Sequence, residues 1–110
     1  MNEAAQMAAM GLIINGGNAK SSSMEAIQSA KLGDFEAADK KLLEAESFLA
    51  TAHDSQTSML ANDARVFETG KGQLTQVSLL MVHAQDHLMN AITFLDLAKE
   101  IVDVYKRLAK

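Results

Sequence analysis

The sequence predicts an all-α protein, an antiparallel bundle of three long helices, and three observations carry that prediction. Proline is absent, so no residue breaks a helix by lacking its backbone donor. Apolar residues recur three and four positions apart over most of the chain, which is the spacing of one helix face. Two stretches end the pattern between helices, one at Gly33 and one after Leu60. Hydrophobic residues make up 48% of the chain and aromatics 5%, so the core must be built from Leu, Ile, Val, Met and Ala. At 110 residues this is one domain, 1–110, with room for a single modest core.

The first helix is predicted from about Asn2 to Leu32, with Met7, Met10, Ile14, Met24, Ile27 and Ala30 at helical spacing. Gly11, Gly16 and Gly17 interrupt it. Glycine inside a helix costs roughly 1 kcal/mol relative to alanine, so these three mark either a kink or packing seam of small residues, or a close approach by another backbone or a ligand. Lys31-Leu32-Gly33-Asp34 then reads as a basic last turn, a glycine C-cap and an Asp34 N-cap.

The second helix is predicted from about Phe35 to Leu60, with a seam of Phe35, Ala38, Leu42, Ala45, Leu49, Ala52, Gln56 and Met59. Glu36, Asp39, Lys40, Lys41, Glu44 and Glu46 form its solvated outer face. His53, near its end, reads as an ordinary surface or hydrogen-bonded histidine. From Ala61 to Gln73 the pattern dissolves, and this segment is predicted to be the longest loop. Its Gly70-Lys71-Gly72 lacks the full spacing of a phosphate-binding loop.

The third helix is predicted from about Gln73 to Ala109. Leu74, Val77, Met81, Ala84, Leu88, Ala91, Leu95, Ala98, Val102, Tyr105 and Ala109 form one unbroken seam. Beside it runs a second stripe of Leu80, His83, His87, Phe94, Leu97, Ile101, Val104 and Leu108. Two partner helices in one bundle do not cover both stripes along a helix of about 55 Å. An oligomer in which the third helices pack against each other follows.

Charge and composition narrow the function. With 14 acidic and 10 basic residues, a formal charge of −4 and no dense Lys/Arg run, nucleic-acid binding is disfavoured. No cysteine is present, which removes thiol chemistry and suits a reducing cytoplasm. No basic leader with an apolar core opens the chain. The uncharged run before Leu95 is long enough to span a bilayer, but His83, Gln85, Asp86, His87 and Asn90 would lie at its middle, so it reads as a buried helix of a soluble protein without direct membrane insertion.

That polar group is the candidate site. His83 and His87 lie one turn apart on a helix, with Asp86 close to both, and Asp86 is the only formally charged residue between Gly72 and Leu95. Three readings compete. The histidines are hydrogen-bonded core or interface residues; or they hold a transition metal together with Asp86; or one imidazole is a nucleophile that carries a phosphoryl group. Ala84 stands where a metalloprotease motif needs glutamate, so metal-assisted hydrolysis is weakly supported. Spacing alone does not choose among them.

Longer stretches add a resemblance. Gly11-Leu12-Ile13-Ile14-Asn15-Gly16-Gly17-Asn18-Ala19-Lys20-Ser21, Gly33-Asp34-Phe35, Ala52-His53 with Gln56-Thr57, and Val77 through Met89 with its His-Ala-Gln-Asp-His-Leu-Met core together resemble the lactose/cellobiose class of enzyme IIA of the bacterial sugar phosphotransferase system. The resemblance implies a cytoplasmic homotrimer of three-helix subunits. It would accept a phosphoryl group from the histidine carrier HPr and pass it to a cysteine of enzyme IIB, for uptake of a β-linked disaccharide. Cellobiose or diacetylchitobiose suits the likeness better than lactose, and the membrane component would bind the sugar. By position, His83 is the phosphorylated histidine. Asp86 meets its symmetry mates on the threefold axis and shares one metal ion per trimer, commonly Mg²⁺. His87 and Gln85 support the phosphohistidine or the contact between subunits. The glycines near Asn15 would let a neighbouring subunit approach the active histidine. Residues 61–72 look longer than the family's usual connector. The rival function is a non-catalytic helical oligomer with a structural metal at His83, Asp86 and His87.

Overall fold

Helix α1 (Glu3–Lys31) runs without interruption through all three of its glycines. The computed structural model describes residues 3–110, so Asn2, the expected start of this helix, lies outside the described residues. The stop at its end follows the expected chemistry. Gly33 takes the left-handed conformation at φ 80° and donates its N–H to Ala30 O at 3.0 Å. Asp34 Oδ1 then accepts from Ala37 N at 3.1 Å and caps α2 (Phe35–Thr69).

Two boundaries differ from the sequence expectation. Residues 61–69 are helical, and α2 ends only at Gly70, whose left-handed backbone lets its N–H reach Val66 O at 2.8 Å. None of the fully buried residues of α2 lies beyond Ala52, and past Met59 the half-buried line of Asn62, Asp63 and Val66 is mostly polar, so it prints only a faint period on the sequence. Ala61, Ala64, Arg65 and Glu68 keep it helical through good intrinsic propensity instead. The connector is residues 70–78, and α3 (Leu79–Leu108) begins six residues later than the predicted Gln73. Leu74 and Val77 carry helical spacing but lie exposed in the connector, and Ser78 sets the true start, its Oγ accepting from Met81 N at 3.1 Å.

The chain runs up, down and up. Asp39 at the start of α2 binds Lys106 at the end of α3, and Glu46 binds Lys99. Farther along, Gln56 meets Gln85, so α2 and α3 are antiparallel. Gly16 and Lys20 of α1 meet His87 and Phe94 of α3, which makes α1 and α3 parallel. The core is thin. Ala9, Ala19, Ala26, Ala30, Ala38, Ala45, Ala52, Ala84, Ala91 and Ala98 supply most of it, with Leu12, Leu49, Met81, Leu88, Leu95 and Val102 as its larger members. Small residues bring the helix axes close, but each buries little apolar area.

Of the two stripes expected on α3, the first is buried from Met81 to Val102, while in the second only Leu80, His87 and Phe94 are partly covered. Met81, Ala84, Leu88, Ala91, Leu95, Ala98 and Val102 are buried against α1 and α2. On the far side Leu79, Val82, Leu97, Ile101, Val104 and Leu108 stay open to solvent, and Met7, Met10 and Ile14 on α1 are exposed as well. In a body 58 Å long and only 24 by 18 Å across, this is a large uncovered apolar face. Among the described residues no helix is long and apolar enough to cross a membrane.

Candidate functional site

The segment 82–89 lies in the second turn and beyond of α3, and the helix sends its polar side chains in three directions. His83 and His87 share one side. Their Nε2 atoms lie 3.1 Å apart and their rings meet edge to face at 82° with centroids 4.5 Å apart. One nitrogen of that contact carries a proton and the other a lone pair, so the two rings share a single hydrogen bond. His83 is exposed and borders an open apolar hollow with Leu79 and Leu80, whereas His87 is half-buried.

The backbone beneath His87 is held by α1. A Cβ built on Gly16 would stand 3.3 Å from His87 O, tighter than an ordinary contact, so a side chain there would push the two helices a few tenths of an ångström apart. Gly11 and Gly17 have open space where a Cβ would stand. The glycine cluster therefore serves, within this chain, a seam at Gly16 between its own helices. Gly17 instead borders a small cavity of about 140 Å³ with Lys20, Asp86, His87 and Asn90.

Gln85 points the other way, towards α2. Its Oε1 accepts from Gln56 Nε2 at 2.7 Å, and its own Nε2 faces Met81 Sδ at 3.7 Å. Asp86 is exposed on the outer face and makes no hydrogen bond or ion pair with any described residue. Although Asp86 and His87 border the same small cavity, His83, Asp86 and His87 are not grouped into the metal site that the rival reading requires of one chain. Among the described residues no three His, Asp or Glu side chains are grouped to hold an ion. His53 also stands apart, on the rim of an apolar groove between α2 and α3 formed with Leu49, Ile92 and Leu95.

The three-helix fold that carries the paired imidazoles is shared with solved structures. The family described as PTS system, Lactose/Cellobiose specific IIA subunit matches residues 7–106. The chain belongs to that family. It is 46% identical over 110 residues to the lichenan-specific phosphotransferase enzyme IIA component of Bacillus subtilis, covering 100% of this chain and 94% of the relative. The crystal structure of the cellobiose-specific enzyme IIA from Bacillus anthracis superposes with a TM-score of 0.87 at 42% identity, over 99% of this chain and 94% of that one. Solution structures of the IIA(Chitobiose)–HPr complex of the Escherichia coli phosphotransferase system superpose at 0.82 and 0.76, each 34% identical and covering 100% of both chains. The protein is thus a IIA component, a working part of a phosphotransferase system.

In this IIA subunit the connector before α3 is held by one carboxylate that sequence reasoning left inside a loop. Asp63 Oδ1 accepts from Thr75 N at 2.8 Å, Thr75 Oγ1 at 3.0 Å and Asn62 Nδ2 at 3.1 Å, while the same Asn62 amide donates to Gln73 O at 3.0 Å. The Thr75 backbone bond, aided by the hydroxyl and amide, holds the Asp63 carboxyl below its ordinary value of 3.8 against the opposing effect of desolvation. A lowered folded value means that the anchoring is complete above that ordinary value and fades as pH falls through the lower folded one. The protection factor of the Thr75 amide, its slowing relative to intrinsic exchange at the same pH, is expected to be high near neutral pH and to fall in that acid range. In Asp63→Ala it should be low throughout; equal protection in the variant would show that other contacts hold the connector.

Gln56 is the other residue whose role the sequence did not separate. Its signal was there, as the only polar side chain among Leu49, Ala52 and Met59 in an otherwise apolar seam.

Proposed function

We propose that this chain is a cytoplasmic phosphocarrier that accepts a phosphoryl group from phospho-HPr on His83 and delivers it to a cysteine of enzyme IIB during uptake of a β-linked disaccharide such as cellobiose or diacetylchitobiose. The observation that carries the reading is the exposed His83 ring, paired through Nε2 with His87, in a fold whose relative is known in complex with HPr. When His87 holds the shared proton, the free electron pair lies on His83 Nε2. A turn of either ring uncovers that pair for attack on phosphorus. The P–N bond of the donor breaks as the new one forms, and the donor imidazole keeps the released electron pair. His87 N–H then lies within reach of the phosphoryl oxygens. Purified protein incubated with phosphoenolpyruvate, enzyme I and HPr should gain one acid-labile, alkali-stable phosphoryl group per chain. Absence of label would refute the carrier role.

The uncovered faces of α1 and α3 support a homotrimer. Along α3 the outer line of Leu79, Val82, Asp86, Asn90, Thr93, Leu97, Val104 and Leu108 is apolar at both ends and polar in the middle, a seam suited to a symmetric coiled coil. One Asp86 oxygen pair is far short of the six oxygens that Mg²⁺ prefers, but three copies about a threefold axis converge enough carboxylate to hold one ion with water. Bound there, Mg²⁺ would neutralise the three charges. Asp86→Leu should therefore keep the trimer and free it from any need for divalent cations, since packing replaces a charge cluster. Sedimentation with and without a chelator checks this, and dissociation of the variant into monomers counts against the axial role.

A further inference from the structure

We propose that Gln56 on α2 is a positioning residue for phosphoryl transfer: it fixes the amide of Gln85 so that a Gln85 N–H is presented to the phosphohistidine of the neighbouring subunit. This rests on the trimeric carrier reading above. Gln85 and His83 leave α3 about 200° apart at about 100° per residue, so Gln85 does not serve the histidine of its own chain. In a closed ring of three, one flank of each subunit meets the opposite flank of the next, and the flank bearing Gln85 then faces the flank bearing His83.

The orientation of both amides is set by their surroundings. A thioether sulfur accepts hydrogen bonds and donates none. Gln56 Nε2 lies 3.6 Å from Met89 Sδ and 2.7 Å from Gln85 Oε1, so both of its hydrogens have acceptors. Gln85 Oε1 is thereby occupied. Its Nε2 has Met81 Sδ at 3.7 Å for one hydrogen and the second is left over, where Gln85 borders a surface cavity of about 270 Å³ with Asp63, Thr75 and Met81. Without Gln56, the Gln85 amide could turn its oxygen towards the phosphoryl group and repel it.

The test is transfer from phospho-HPr at saturating donor. Gln56→Glu keeps the shape but offers only acceptors, which turns the Gln85 amide over. Its rate should fall about tenfold to a hundredfold, the usual loss for a hydrogen bond to a charged group, with the KM for phospho-HPr little changed. Gln56→Leu, which leaves Gln85 free to rotate, should fall less. A purely structural role predicts the reverse order, because leucine matches the shape of glutamine less well than glutamate does. In a Gln85→Ala background, Gln56→Glu should have no further effect. A loss that persists there is charge repulsion and overturns the proposal, as does an unchanged rate in Gln56→Glu; if that variant does not assemble, the rate of Gln56→Leu against wild type decides alone. Failure of Gln85→Ala to slow transfer while His83→Ala abolishes it refutes this inference and spares the carrier role. Labelling of His83→Ala refutes the carrier reading itself.

Discussion

His83→Ala is expected to lose phosphoryl uptake from phospho-HPr entirely, a drop of at least about a thousandfold to background, with helix content and assembly unchanged. The loss is total because no neighbouring group replaces a covalent acceptor. His87, the only other imidazole in reach, is half-buried, with its backbone carbonyl against Gly16. His87→Ala should keep a measurable rate, lowered about tenfold to a hundredfold, since it removes a hydrogen bond to the charged phosphoryl group and leaves the nucleophile in place. Acid-quenched label counting on the two variants separates acceptor from support. Full labelling of His83→Ala, or complete loss in His87→Ala with normal uptake in His83→Ala, would exchange their roles.

Leu97→Lys combined with Val104→Lys should convert the proposed trimer to monomers at micromolar concentration. Leu97 is 58% and Val104 52% exposed in the single chain, so neither substitution disturbs the core of the bundle. In the assembly each would forgo on the order of 1 kcal/mol or more of apolar burial and add an ammonium that has to leave water without a partner. Sedimentation velocity reads the result directly, and a trimer that survives both lysines would place the interface elsewhere. The same variant should lose transfer rate as well, because Gln85 of one subunit would no longer reach His83 of another. Its far-ultraviolet circular dichroism should stay helical, though with a lower thermal midpoint, since the alanine-rich core buries little area on its own.

The legible parts of the fold are those where a local rule and a buried stripe act together. The turn at Gly33-Asp34 was readable from two residues because a left-handed glycine and an aspartate cap are local chemistry. The seam from Met81 to Val102 was readable because burial on one side imposes a period. The boundary between α2 and α3 was misread for the complementary reason. Residues 61–69 are helical without a fully buried residue, and Leu74 and Val77 continue a helical spacing that the chain does not use. What decides there is Asp63, whose carboxylate takes the Thr75 backbone donor out of any helix, and Ser78, which caps the first turn of α3.

At the candidate site the sequence by itself determined the cast: an imidazole pair one turn apart, a solitary Asp86 between them, and two apolar stripes of which one subunit buries only the first in full. It also determined the family, through the segment from Val77 to Met89. Only the tertiary structure decided which of these groups work together. Helical spacing places residues on a face but says nothing of what stands opposite. The approach of α1 at Gly16 holds His87 beneath His83, the antiparallel course of α2 brings Gln56 to Gln85, and Asp86 is left facing outwards without a partner. Those partners come from residues 29 and more positions away, at distances set by how closely small side chains let the helices pack.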